Sequence, residues 1–136
     1  GVSEGLNLGE NAKSALISRS FAEMTRYAKK FKADKNTLFG LSGLGDLILT
    51  CSSKNSRNTQ FGIKLASSKY DNFLDLLKSQ EVTEGYYTVK AVYNISQKKN
   101  IDMPIMESVY NILYKQHDLK EELSNLLSRP ITEEKI

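Results

Sequence analysis

One cysteine, Cys51, stands in a chain of 136 residues, so neither a disulfide framework nor a thiolate metal site can be assembled. Histidine is as scarce: His117 stands alone, which excludes a His-based metal cluster and leaves one weak histidine candidate for acid–base work. No metal is therefore expected. No apolar run approaches the ~20 residues that a membrane-spanning helix needs, and no signal-peptide pattern opens the chain. Long basic runs are missing too. The net charge is +3, and Lys29-Lys30 and Lys98-Lys99 are isolated pairs, so no nucleic-acid partner is expected. Alternating strand segments, internal repeats and low-complexity tracts are also absent. A reduced, cytoplasmic setting is the natural expectation. There is no initial methionine, and residues 1–9 (GVSEGLNLG) read as a loop entered part-way, so a piece of a longer protein is expected.

What is present is a globular composition, 40% apolar and 26% charged, enough for one domain with its own core. Helical periodicity dominates it. Over residues 10–31, Ile17, Phe21, Met24, Ala28 and Phe31 recur at helical spacing, with Lys13, Arg19, Glu23, Arg26, Lys29 and Lys30 assigned to the exposed side. A short apolar helix is predicted over 45–51, and a third starts at Ser56, a suitable N-cap. A fourth is predicted over 71–78 and a fifth over 84–98. Pro104 opens a sixth, and Asp118 with Glu121 forms a capping box for the last. The predicted class is all-α, one domain over 1–136 with six to seven helices.

Chemistry concentrates in residues 40–62, GLSGLGDLILTCSSKNSRNTQFG. Gly40, Gly43 and Gly45 precede Asp46, and a polar loop then ends in Ser56-Arg57-Asn58 at a helix start. A helix N-terminus offers unpaired N–H groups and the positive end of its dipole, both of which favour an anion. Arg57 adds a planar fork suited to phosphate oxygens, and Asn58 adds an amide donor. The same residues also read as a plain serine cap followed by a solvated arginine. The glycines read equally as tight helix packing, with Asp46 as a cap. Thr50, four residues after Asp46, shares its helix face. Cys51 reads as a small apolar residue and His117 as a surface or capping residue. Tyr86, Tyr87, Tyr93, Tyr110 and Tyr114 read as amphipathic packing.

The 40–62 run closely resembles the signature of bacterial NAD(P)-dependent glycerol-3-phosphate dehydrogenases. The opening GVSEGLNLGENAKSALISRSFAEMTRY resembles the start of that family's C-terminal domain, and Val82-Thr83-Glu84-Gly85-Tyr86 its V-x-E-G segment. The likeness implies the helical fold of 6-phosphogluconate dehydrogenase C-terminal domains. It also implies a share in interconverting sn-glycerol 3-phosphate and dihydroxyacetone phosphate with NAD or NADP, a reaction that feeds phospholipid synthesis. By resemblance, Asp46 and Thr50 stand near the reacting end of the substrate, and Ser56, Arg57 and Asn58 hold its phosphate. Arg57, Val82 and Glu84 would touch the cofactor. The family's Rossmann domain and general-base lysine have no counterpart in this chain. This polypeptide alone is therefore expected to be inactive, with its own N-terminal domain as partner and a homodimer left open. The rival readings are a non-catalytic helical interaction module and the helical domain of another two-domain dehydrogenase; the Ser56-Arg57-Asn58 set argues against the second.

Overall fold

The computed structural model describes residues 1–67, 75–76 and 83–130. Its elements run α1 (Val2–Gly5), α2 (Glu10–Lys30), α3 (Lys35–Phe39), a π-helical turn (Leu41–Gly45), α4 (Asp46–Ser52) and α5 (Arg57–Ala66). They continue with α6 (Glu84–Lys99), α7 (Pro104–Lys115) and α8 (Leu119–Ser128). Among the described residues there is no strand, and no helix is long and apolar enough to cross a membrane.

Helix starts follow local cap chemistry. The Ser56 hydroxyl accepts from the Thr59 N–H at 3.4 Å and opens α5, while Asp118 accepts from the Glu121 N–H at 2.8 Å and opens α8. Pro104 occupies the first turn of α7, where its missing N–H costs nothing. Two short helices add to the expected set, α1 within the presumed opening loop and α3 after the break at Ala33. Four or five residues are too few to show a period, and α3 is set by the Asp34 cap, which accepts from the Asn36 N–H at 2.8 Å. The helix predicted over 71–78 lies outside the described residues, apart from Asp75 and Leu76, which are helical.

The core gathers Phe61 of α5, Leu76, Val89 of α6 and Leu113 of α7. Along the α6–α7 seam the tyrosines pack on one another. Tyr86 stacks on Tyr114 at 4.8 Å between centroids, Tyr114 on Tyr110 at 5.1 Å, and Tyr110 on Tyr93 at 3.7 Å with the rings 3° from parallel. The Tyr114 hydroxyl donates to the Tyr86 carbonyl at 2.8 Å, and burial pushes its pKa up to about 12.

The exposed side assigned to α2 needs correction. Glu23 is only 4% exposed; its carboxylate accepts from the N–H groups of Ile105 and Met106, at 2.6 and 3.1 Å. Arg19 is half-buried, and its guanidinium donates to the carbonyls of Leu126 and Arg129 at the end of α8. The helix is covered on several sides, so its most buried residues are Ala22, Glu23 and Thr25, while Phe31 is left exposed. A single apolar stripe describes a helix with one covered face, and α2 packs against α3, α4, α7 and α8.

Candidate phosphate-binding site

The glycine-rich segment folds as a packing device. Gly43 is buried in the π-turn so close to α3 that a Cβ there would stand 2.0 Å from the Leu38 carbonyl oxygen. The π-turn runs directly into α4, the Asp46 N–H bonding back to the carbonyls of Leu41 and Gly43, and Asp46 stands exposed in the first turn of α4. Asp46 is exposed and forms no ion pair with a described residue. Thr50 lies one turn further along, half-buried, and its carbonyl accepts from the Thr59 hydroxyl at 3.0 Å. That bond ties the end of α4 to the first turn of α5.

Before α5, Lys54 pairs with Glu4 of α1 at 3.1 Å, and Lys13 of α2 reaches the same carboxylate at 3.6 Å. Hydrogen bonding and charge from Lys54, then the charge of Lys13, hold the Glu4 carboxyl below its ordinary range. The Lys54 carbonyl also accepts from the Gln60 side-chain amide at 3.1 Å, so the loop carrying Ser56 is fastened on both sides.

The starts of α5 and α6 meet at this loop. Arg57, the first residue of α5, pairs with Glu84, the first residue of α6, at 3.7 Å. Their side chains are 77% and 90% exposed, so the guanidinium keeps most of its surface open to an incoming anion. Such an exposed pair is worth ~0–1 kcal/mol and does not lock the arginine. Behind it, the Thr83 hydroxyl donates to Asn58 Oδ1 at 2.7 Å. Gly85 is so close that a Cβ there would stand 2.6 Å from the same oxygen. Asn58 and Thr83 also border a half-open apolar cleft of about 360 Å³, whose walls include Leu16, Phe61, Val89 and Leu113.

The fold thus brings together Ser56, Arg57, Asn58 and Glu84, with Thr50 tied in through its backbone and Asp46 one turn away on α4. Val82 lies outside the described residues. Thr83 carries no sequence signal of its own, since a threonine before a helix ordinarily caps it. Here it makes no side-chain cap, and its hydroxyl donates to Asn58. Cys51 is half-buried on the wall of the cleft, and burial pushes its thiol pKa up. His117 is exposed, with Nδ1 2.7 Å from Glu122 of α8.

The family profile described as NAD-dependent glycerol-3-phosphate dehydrogenase C-terminus matches residues 1–124. A glycerol-3-phosphate dehydrogenase [NAD(P)+] of Ligilactobacillus salivarius is 45% identical over 135 residues, which are 98% of this chain and 39% of that protein. One from Solidesulfovibrio magneticus is 44% identical over the same length, covering 40% of that protein. The crystal structure of the Coxiella burnetii glycerol-3-phosphate dehydrogenase superposes with a TM-score of 0.86 at 38% identity, over 94% of this chain and 39% of that one. The chain thus spans about two fifths of the length of these relatives. It belongs to the NAD-dependent glycerol-3-phosphate dehydrogenase family, as that family's C-terminal, all-helical domain.

Proposed function

We propose that this domain is the phosphate-gripping wall of an enzyme that interconverts dihydroxyacetone phosphate and sn-glycerol 3-phosphate using NAD or NADP. The observation that carries the reading is Arg57, a largely open guanidinium on the first turn of α5, beside the Asn58 amide and the N-terminus of α6. Gripping the phosphate supplies binding energy remote from the reacting carbon, and part of it orients the carbonyl. Asp46 and Thr50, on one face of α4, stand toward the reacting end, Asp46 placed to keep a base lysine charged by proximity.

The nicotinamide, when bound, gives or takes the hydride. This chain's own share in holding it is the exposed Arg57–Glu84 rim, with Val82 as a third contact. The exposed apolar residues Leu41, Ile48 and Leu49 flank Asp46 on the π-turn and α4. They form the surface on which the remaining three fifths of the polypeptide, the nucleotide-binding domain, closes and excludes water. The domain by itself is then inactive.

The test is Arg57→Ala in the full-length protein. KM for dihydroxyacetone phosphate should rise about 10- to 100-fold, the loss of one or two charge-assisted bonds. Cofactor KM should change far less, and turnover of unphosphorylated dihydroxyacetone should hardly change. An equal loss with the unphosphorylated analogue would remove the assignment. The rival reading as a protein-interaction module requires no phosphate dependence at all.

A further inference from the structure

We infer that Thr83 is a positioning residue: its hydroxyl fixes the side-chain amide of Asn58 so that the NH₂ group faces the anion. The inference rests on the phosphate reading above and deepens it. An asparagine amide can present either its oxygen or its two N–H donors, and only the donors suit a phosphate. Two features of this chain choose between them. Thr83, only 8% exposed, donates its hydroxyl proton to Asn58 Oδ1 at 2.7 Å. The same oxygen lies against Gly85, in the first turn of α6, where the positive end of a 16-residue helix favours an oxygen over an NH₂. With Oδ1 held inward, Nδ2 points to the open side, where Asn58 is exposed and Arg57 is its chain neighbour.

The experiment compares Thr83→Val, Thr83→Ser and Arg57→Ala in the full-length protein, with inorganic phosphate as a competitive probe. Valine keeps the shape and removes the donor; serine keeps the donor. Thr83→Val should raise KM for dihydroxyacetone phosphate and the inhibition constant of phosphate about 5- to 10-fold together, with kcat and cofactor KM within about twofold. Thr83→Ser should stay within about twofold of the parent. The inference is overturned if Thr83→Val leaves phosphate inhibition unchanged while Arg57→Ala weakens it. It is equally overturned if valine and serine behave alike, or if kcat and both KM values collapse together with thermal stability. If Arg57→Ala also leaves phosphate inhibition unchanged, the phosphate reading itself fails. Should Thr83→Val not fold, the isotope-labelled parent decides. The Asn58 side-chain N–H resonances should shift on phosphate titration, and unmoved resonances overturn the inference.

Discussion

Glu23 on α2 caps α7 from 82 residues away in sequence, its carboxylate accepting from the Ile105 N–H at 2.6 Å. The Met106 N–H is held by the other carboxylate oxygen at 3.1 Å. Met103, at the N-cap, has no side-chain oxygen to offer, so the cap comes from another helix. Glu23→Ala leaves two buried donors without partners and should cost about 2–3 kcal/mol in urea unfolding. Glu23→Gln, which keeps one acceptor, should cost less.

Burial raises the Glu23 pKa, outweighing the two N–H donors that lower it. The folded state therefore holds the proton more tightly than the unfolded chain, and this group's contribution is greatest below the unfolded value of 4.5. It is lost as pH rises through the raised folded value. The stability advantage of the parent over Glu23→Gln should accordingly shrink as pH rises above 4.5. An advantage that grows as pH rises would reverse the assignment.

Glu122 works in the opposite direction. Burial disfavours its charge, but hydrogen bonds from Ser108, His117 and Asn111 hold its pKa below the ordinary carboxylate range. Its contribution is present above 4.5 and is lost as pH falls through the lowered folded value. Glu122→Ala should cost about 1–2 kcal/mol at neutral pH and almost nothing in strong acid, as read from unfolding curves at the two pH values.

Glu84 competes with an anion for Arg57, which it meets at 3.7 Å. Glu84→Gln in the full-length protein should tighten inhibition by inorganic phosphate about two- to fivefold at low salt, an effect that fades as ionic strength rises. Cofactor affinity should weaken in the same variant if Glu84 also touches the nucleotide. Unchanged phosphate inhibition at low salt would mean the pair does not gate the arginine.

Gly43→Ala tests the packing role of the glycine run. A Cβ 2.0 Å from the Leu38 oxygen must push α3 away from the π-turn. Thermal unfolding should show a loss of about 2–4 kcal/mol. Gly45→Ala, whose Cβ would meet its nearest neighbour at an ordinary 3.5 Å, should be far milder.

The parts of this molecule that could be read from sequence are those fixed by neighbours along the chain. Ser56, Pro104 and Asp118 mark helix starts because a cap bonds within three residues of itself. Ser56, Arg57 and Asn58 share one helix turn, so their grouping is visible in the sequence, while a phosphate role for them rests on the family resemblance. Glu23 and Arg19 were misplaced on the exposed face of α2 because their partners lie on α7 and α8, about 80 and 110 residues onward. Thr83 carries no such local signal, because its partner, Asn58, is 25 residues back in the chain. The short α1 and α3 contain less than two turns each, too little for any period.

The stacked phenols of the α6–α7 seam give the domain an optical handle. With seven tyrosines and no tryptophan, its near-ultraviolet spectrum is a tyrosine spectrum. The nearly parallel, stacked Tyr93–Tyr110 contact couples two of those chromophores only while the seam is closed. Circular dichroism in that band therefore follows the parting of α6 from α7 without any attached dye.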